Sequence, residues 1–399
     1  MKLSIRDLDL KGQRVFIRVD FNVPLKKGAI GDDTRILASV PTIEYALDRG
    51  GSAVLASHLG RPKGKPDVEM SLRPVADRLA EILNRPVLFA ADCIGAEAEG
   101  AVREAHAAGG PKLVLLENLR FHAEEEKNDP AFARALASLA DRYVDDAFGA
   151  AHRAHASVEA VTHFVSQPAA GLLMERELKY LGHVLEAPER PFVVILGGAK
   201  VSDKIDVIQN MIGRVDRLII GGAMAYTFFK ARGLAVGKSL VEDDKLHEAR
   251  QIEESAATKR VPLDLPIDHV VTSRVEAGSA NEVLAIGDAA IGDRIGVDIG
   301  PSTIARYRAA IAGAKTVVWN GPMGVFEIEA FATGTNEVAR AVAAVKGTTI
   351  IGGGDSIAAI RKAGVADKIT HISTGGGASL EFLGGRTLPG VAALADRAG

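Results

Sequence analysis

The sequence predicts an α/β protein made of two doubly wound parallel-sheet (Rossmann-like) domains joined by a connecting helix. Three observations carry that prediction. Short, unbroken apolar runs alternate with longer Ala-rich amphipathic stretches along the whole chain. Continuous apolar strands joined by helices belong to parallel sheets covered on both faces. The chain has 399 residues, too many for one ordinary core, so two domains are expected. The two halves also end their strands differently, in side-chain functional groups in the first half and in glycine clusters in the second.

In chain order, the first-half strands are expected at RVFIRVD (14–20), AVLASH (53–58), PVLFA (86–90), KLVLLEN (112–118) and RYVDDAF (142–148). The second-half strands are expected at FVVILGG (192–198), RLIIGG (217–222), HVVTS (269–273), KTVVWNG (315–321), TTIIGGG (348–354) and HISTGGG (371–377). Between them, stretches such as LRPVADRLAEIL (72–83) show the i, i+3, i+4 spacing of a helix with one buried face. The polar segments AEAEGAVREAHAAGG (96–110) and EEEKNDP (124–130) read as solvated surface. A link is expected at 170–190, where Leu178, Leu181, Val184 and Leu185 form a helical stripe before Pro188 and Pro191. The tail after residue 380 is apolar enough to dock rather than hang free.

Composition narrows the function classes. Aromatics are only 5% and the formal net charge is −3, which gives neither a stacking surface nor a basic footprint for nucleic acid. Cys93 is the only cysteine, so no intrachain disulfide forms and a reducing compartment fits; the residue reads as a small core side chain. The N-terminal segment lacks the apolar core of a signal peptide, and no uncharged apolar run reaches the ~18 residues of a membrane span. A cytoplasmic protein is expected.

Ligands of open parallel sheets bind beyond the carboxyl ends of the strands. In the first half those ends carry Asp20-Phe21-Asn22, with Arg35 beyond a short loop, then His58-Leu59-Gly60-Arg61, Asn118-Leu119-Arg120, and His152-Arg153 with His155. One such arginine is ordinary surface, but four at strand ends suit a small, multiply charged anion, because the guanidinium grips carboxylate and phosphate in a bidentate manner. In the second half the ends carry Gly197-Gly198, Gly221-Gly222, Asn320-Gly321-Pro322, Gly352-Gly353-Gly354 and Gly375-Gly376-Gly377. Glycine admits close approach of backbone N–H groups, and a helix start with free N–H groups attracts phosphate. Tight packing alone also demands glycine, yet several such turns on one sheet edge favour a nucleotide. Lys200 and Lys204, read as two lysines at a helix start, would supply charge beside phosphates, Asp355 sits where a carboxylate could hold Mg²⁺, and Glu327 could accept from ribose hydroxyls; taken singly, each also reads as a solvated lysine, a helix-capping aspartate or a surface glutamate. An anion on one half and a nucleotide on the other suggest phosphoryl transfer.

Taken together, RVFIRVDFNVP, SHLGRP, ENLRF, DDAFGAAHRAHAS, GGAKVSDKI, WNGPMGVFE, IGGGDS and STGGGAS closely resemble the phosphoglycerate kinase family, in the family's order and over nearly the whole chain. The resemblance implies reversible phosphoryl transfer between ATP and the carboxylate of 3-phosphoglycerate, with Mg²⁺ accompanying the nucleotide. It assigns Asp20, Phe21, Asn22, Arg35, His58, Leu59, Gly60, Arg61, Arg120 and Arg153 to the 3-phosphoglycerate site. Lys204, Gly296, Glu327, Gly353, Gly354, Asp355 and Ser356 fall on the nucleotide site, with Asp355 toward the metal. Arg35, Lys200, Gly376 and Gly377 match groups that stabilise the phosphoryl group in transfer. It also implies a monomer, while composition and the lack of an apolar span lead to the expectation of no nucleic-acid or membrane partner. Its expected organisation is an acid-binding domain at 1–171, an interdomain helix at 172–187, a nucleotide-binding domain at 188–380, and a tail, 381–399, that packs back on the first domain. The helix and the region near residue 380 are the expected hinges.

The inventory agrees with that chemistry. A carboxylate acceptor is already ionised at neutral pH and needs no general base, so His58, His152 and His155 read as anion ligands or structural residues. A Rossmann dehydrogenase would require G-x-G-x-x-G after a strand and an acidic residue about 20 positions on, a spacing these turns lack. A two-lobed solute-binding protein would have no use for Asp355 beside a glycine turn.

Overall fold

A computed structural model describes residues 1–26 and 28–397. The chain divides into two compact units, one of Met1–Lys179 together with the segment from Thr387 onward, the other of Tyr180–Arg386.

The first unit is built on a six-stranded, all-parallel sheet. Across the sheet the strands run Leu88–Ala90, Leu113–Leu116, Ser52–Ala56, Arg14–Arg18, Arg142–Asp145 and Ala169–Ala170. Ile17 pairs with Leu55 on one side and with Val144 on the other, so the chain reverses its direction of travel across the sheet at the first strand. That reversal opens a crevice at the carboxyl ends of these strands. Alternate strand residues Val15, Ile17, Ala53, Leu55, Leu113 and Leu115 pack with Ile36 and Ile43 of the helix Thr34–Asp48 and with Val75 and Leu79 of the helix Arg73–Leu83. The opposite face buries Phe16, Val54, Val114 and Tyr143. Burial on both faces is why these strands read as continuous apolar runs. The C-terminal segment is tied into this unit by backbone hydrogen bonds from Leu3 N to Ala395 O (2.8 Å) and from Ala395 N to Pro168 O (2.9 Å).

The second unit holds another six-stranded parallel sheet, in the spatial order Leu263–Asp264, Arg217–Ile220, Phe192–Leu196, Thr316–Asn320, Thr348–Gly352 and His371–Ser373. Numbered along the chain this is 3-2-1-4-5-6, with the topological switch between Phe192–Leu196 and Thr316–Asn320. Trp319, Val193, Ile195, Val317 and Ile351 form its core with Tyr307 and Val338 from covering helices.

Four expectations are corrected. The segment HVVTS belongs to a separate three-stranded antiparallel sheet, Asp268–Thr272 between Asn281–Ala285 and Ile295–Ile299. The place expected for it in the parallel sheet is taken by Leu263–Asp264, two residues long and too short to show a pattern. Residues 96–110 are not wholly solvated, because the helix Gly95–His106 buries Ala98, Val102 and Ala105. Within 124–130, Glu125 is fully buried, since it accepts hydrogen bonds from Ser157 N (2.9 Å) and Ser157 Oγ (2.6 Å). Lys200 and Lys204 both precede the helix Ile205–Met211, with Lys204 at its N-cap, because the Gly-Gly turn opens into a loop first.

Candidate active site

In the first unit the polar side chains that follow the strands are held by one another. Arg35, in the first turn of its helix, donates from Nη1 to Asp20 Oδ2 at 2.7 Å. Asn22 Oδ1 accepts from Gly60 N at 2.9 Å, and Arg120 Nη1 donates to Gly60 O at 2.8 Å, so three strand-end loops are fastened together. Asn118 completes the frame by accepting from Leu59 N at 3.1 Å and donating to Leu59 O at 2.7 Å. Phe21 and Leu59 are buried, and their backbone N–H groups are already engaged, Phe21 N donating to Ser57 Oγ at 2.8 Å and Leu59 N to Asn118, so both residues brace the strand-end loops. Arg61 is exposed, and Arg153 donates from Nε to His152 Nε2 at 3.1 Å.

Beneath this frame lies Arg18, fully buried, which sequence reasoning did not single out. Its Nε donates to Ser157 Oγ at 2.8 Å, its Nη1 to Val19 O at 2.5 Å, and its Nη2 approaches His58 Nδ1 at 3.1 Å. A guanidinium only donates, so His58 Nδ1 must be the acceptor and the ring proton must sit on Nε2. Burial, with the charges of Arg18, Arg120 and Arg35, drives the His58 pKa well below its ordinary value. His155 is lowered to about 3 by burial and then by Arg120, Arg18 and Arg153. Two neutral imidazoles among arginines form a wall of N–H donors with net positive potential, and such a wall accepts an anion without proton transfer. The signal for Arg18 was in the sequence, as a charged residue inside an apolar strand, but its side-chain partners Ser157 and His58 are distant in the chain, and Glu125 joins the network only through Ser157.

In the second unit a cavity of about 230 Å³ is lined by Tyr226, Gly296, Pro322, Glu327, Asp355 and the Gly198–Ala199 turn. The strand-end glycines of this unit fall into two kinds. At Gly197 a Cβ would lie 2.2 Å from Pro322 O, and at Gly321 it would lie 2.1 Å from Gly197 O, so these two exist because neighbouring strand-end loops pack backbone on backbone. Gly354, Gly376 and Gly377 face open space instead. Gly353 caps the helix Gly354–Lys362 with φ of 91°, a conformation costly for any other residue. Gly296 has a further reason, because a Cβ there would fall 1.6 Å from Tyr226 Oη.

Lys204 is buried, and its Nζ donates to Asn320 Oδ1 at the end of the strand Thr316–Asn320. Burial lowers its pKa to about 8, against the opposing pull of Asp203 and Asp355. Ser356 is buried and its Oγ accepts from Gly321 N at 2.6 Å, so this hydroxyl joins two strand-end loops. Asp355 and Glu327 are exposed at the cavity wall, and Lys200 is exposed in the turn before Lys204. Gly376 and Gly377 open the helix Gly377–Leu383.

A family model described as phosphoglycerate kinase matches residues 5–386. The phosphoglycerate kinase of Solibacter usitatus is 61% identical over 397 residues, covering 98% of this chain and 99% of its own length. That of Moorella thermoacetica is 58% identical over 396 residues, with 99% and 100% covered. The solved structure of phosphoglycerate kinase from Coxiella burnetii superposes with a TM-score of 0.87 at 41% identity, over 98% of each chain. The crystal structure of phosphoglycerate kinase from Pyrococcus horikoshii gives 0.84 at 32% identity, also over 98% of each. The chain belongs to the phosphoglycerate kinase family. Its reaction is the reversible transfer of a phosphoryl group from ATP to the carboxylate of 3-phosphoglycerate, giving ADP and 1,3-bisphosphoglycerate.

Proposed function

We propose that the strand-end loops of the first unit seat 3-phosphoglycerate and that the glycine-lined cavity of the second seats ATP. The observation that carries this division is the contrast between the units, neutral histidines among arginines in one and open glycine turns beside a buried lysine in the other. In the acid site Asp20, Asn22, Arg35, His58, Arg61, Arg120 and Arg153 contribute side chains, while Phe21, Leu59 and Gly60 hold the loops that carry them. In the nucleotide site Gly353, Gly354 and Ser356 shape the phosphate turn, Gly296 leaves room against Tyr226, and Glu327 accepts from the ribose.

The acceptor carboxylate is itself the nucleophile, so catalysis rests on positioning and charge. Arg35, Lys200 and the N–H groups at Gly376 and Gly377 offer positive potential to the equatorial oxygens of the moving phosphoryl group. Asp355, an exposed carboxylate at the cavity wall, suits a hard cation that keeps most of its water. Bound there, Mg²⁺ would neutralise charge on the nucleotide phosphates. Leu172–Glu186 is proposed as the connection between an acid-binding and a nucleotide-binding domain. The protein is taken to act as a monomer in the cytoplasm on soluble metabolites, without nucleic acid or membrane. Among the described residues no helix is long and apolar enough to cross a membrane.

A coupled assay for ATP formation from ADP and 1,3-bisphosphoglycerate tests the activity. In it, Glu327→Ala should raise KM for the nucleotide by about tenfold, the loss of ~1.4 kcal/mol of charged hydrogen bonding, and leave KM for the acid substrate unchanged. An effect confined to the acid substrate would reverse the assignment of the two units.

Lys204 gives a second expected result. Its pKa of about 8 lies below its unfolded value of 10.5, so the unfolded chain binds more protons between these pH values. Its contribution to stability therefore rises with pH from about 8 to 10.5, and its buried charge costs stability below that window. Phosphates placed beside it restore the charged form. ATP binding near pH 8 should take up as much as about half a proton, seen as a dependence of calorimetric enthalpy on buffer ionisation. Lys204→Met should abolish the dependence, and its persistence in that variant would remove Lys204 from the phosphate site.

A further inference from the structure

We propose that Asp92, Cys93 and His122 form a binding site for a zinc-class transition-metal ion in the first unit, independent of the nucleotide's cation. The three side chains come from the ends of two neighbouring strands. Asp92 and Cys93 lie in the turn after Leu88–Ala90, and His122 closes the turn that follows Leu113–Leu116. These strands pair in parallel, with Ala90 opposite Leu116, which brings the two turns side by side. One ligand atom from each residue lies within 4.8 Å of the other two. Metal–ligand bonds at tetrahedral angles place ligand atoms about 3.3–3.8 Å apart, so modest side-chain rotation closes the set while the turns stay in place. Among the described residues, no other group of three His, Cys, Asp or Glu side chains meets that spacing.

The surroundings favour an ion held on one side by protein and on the other by water. Cys93 is fully buried, whereas Asp92 and His122 are half-buried, leaving a solvent-facing fourth position. The ligands are also held in place. Asp92 Oδ1 accepts from Cys93 N at 2.6 Å and lies 2.7 Å from His122 Nε2, and the His122 ring packs on Phe132 with centroids 5.3 Å apart. Thiolate, imidazole and carboxylate together select Zn²⁺ or Co²⁺ and discriminate against Mg²⁺, which takes oxygen ligands.

Binding is a ligand exchange without change of oxidation state. The metal–sulfur bond forms as the S–H bond breaks, and the thiol proton passes to solvent. The proton between Asp92 and His122 moves to the other ring nitrogen, so His122 binds the metal as a neutral imidazole and the Asp92 carboxylate is freed for the ion.

The test is a titration of the full-length protein with Co²⁺, after treatment with chelator and in Mg²⁺-free buffer. One equivalent should bind, with a thiolate-to-cobalt charge-transfer band in the near ultraviolet that Zn²⁺ displaces. Cys93 is the only cysteine in the chain, so that band has a single possible source. Cys93→Ser should abolish the band, and His122→Ala should weaken Co²⁺ binding by about tenfold or more. Where Cys93→Ser fails to fold, as judged by circular dichroism, Asp92→Asn joins His122→Ala, both at half-buried positions, and each should lower affinity. Absence of the band in the unaltered protein overturns the proposal. So does persistence of the band in folded Cys93→Ser, or unchanged affinity in both His122→Ala and Asp92→Asn.

Discussion

Replacing Arg35 with alanine should lower kcat by about 10³-fold, within the range for removing a guanidinium from a phosphoryl-transfer site. KM for either substrate should move far less. The chemistry offers no base to remove, so charge delivered to the phosphoryl oxygens is the main lever the protein has. Arg35 is suited to that task because Asp20 fixes one edge of its guanidinium at 2.7 Å while the side chain stays 35% exposed. Arg35→Lys should recover only part of the loss, since a point charge replaces a planar fork. Lys200→Ala is expected to act in the same direction, by about 10²-fold. Steady-state kinetics with unchanged kcat in either alanine variant would remove that residue from the transfer step.

Arg18→Met should destabilise the protein by about 2–4 kcal/mol, through lost buried hydrogen bonds and the partners left unsatisfied. Methionine keeps much of the volume, so the loss reports on polar contacts to Ser157, Val19 and His58 rather than on a cavity. The same variant should raise KM for 3-phosphoglycerate, because His58 loses the donor that assigns its ring proton to Nε2. Glu125→Gln should act on the same network through Ser157, and the double variant should lose less stability than the sum of the two. Urea denaturation measures both effects. A change within about 0.5 kcal/mol for Arg18→Met, or strict additivity, would show that the network does not operate as a unit.

Much of this was legible in the primary structure, and the gaps have physical causes. Strands buried on both faces appear as continuous apolar runs, which is why ten of the eleven expected strands, from RVFIRVD to HISTGGG, lie in the two parallel sheets. HVVTS has the same composition, and composition does not reveal whether a neighbour runs parallel or antiparallel. The two-residue strands Ala169–Ala170 and Leu263–Asp264 are too short to carry a period. Glu125 looked like surface because acidic runs usually are, and only Ser157, 32 residues away, explains its burial. The glycines were visible as a class. Their division into those that pack on backbone, such as Gly197, and those that face open space, such as Gly376, depends on atoms from other loops.

By itself, the sequence determined the alternation of strand and helix, the contrast between arginine-bearing and glycine-bearing strand ends, and the motifs that mark the family. Each is a local property, set by a few adjacent residues and their backbone preferences. The tertiary structure alone decided that Arg18 sets the tautomer of His58, that Tyr226 is what makes Gly296 necessary, and that Asp92 meets His122. Those facts rest on contacts between segments far apart in the chain, and sheet order and packing, which no single segment encodes, bring them together.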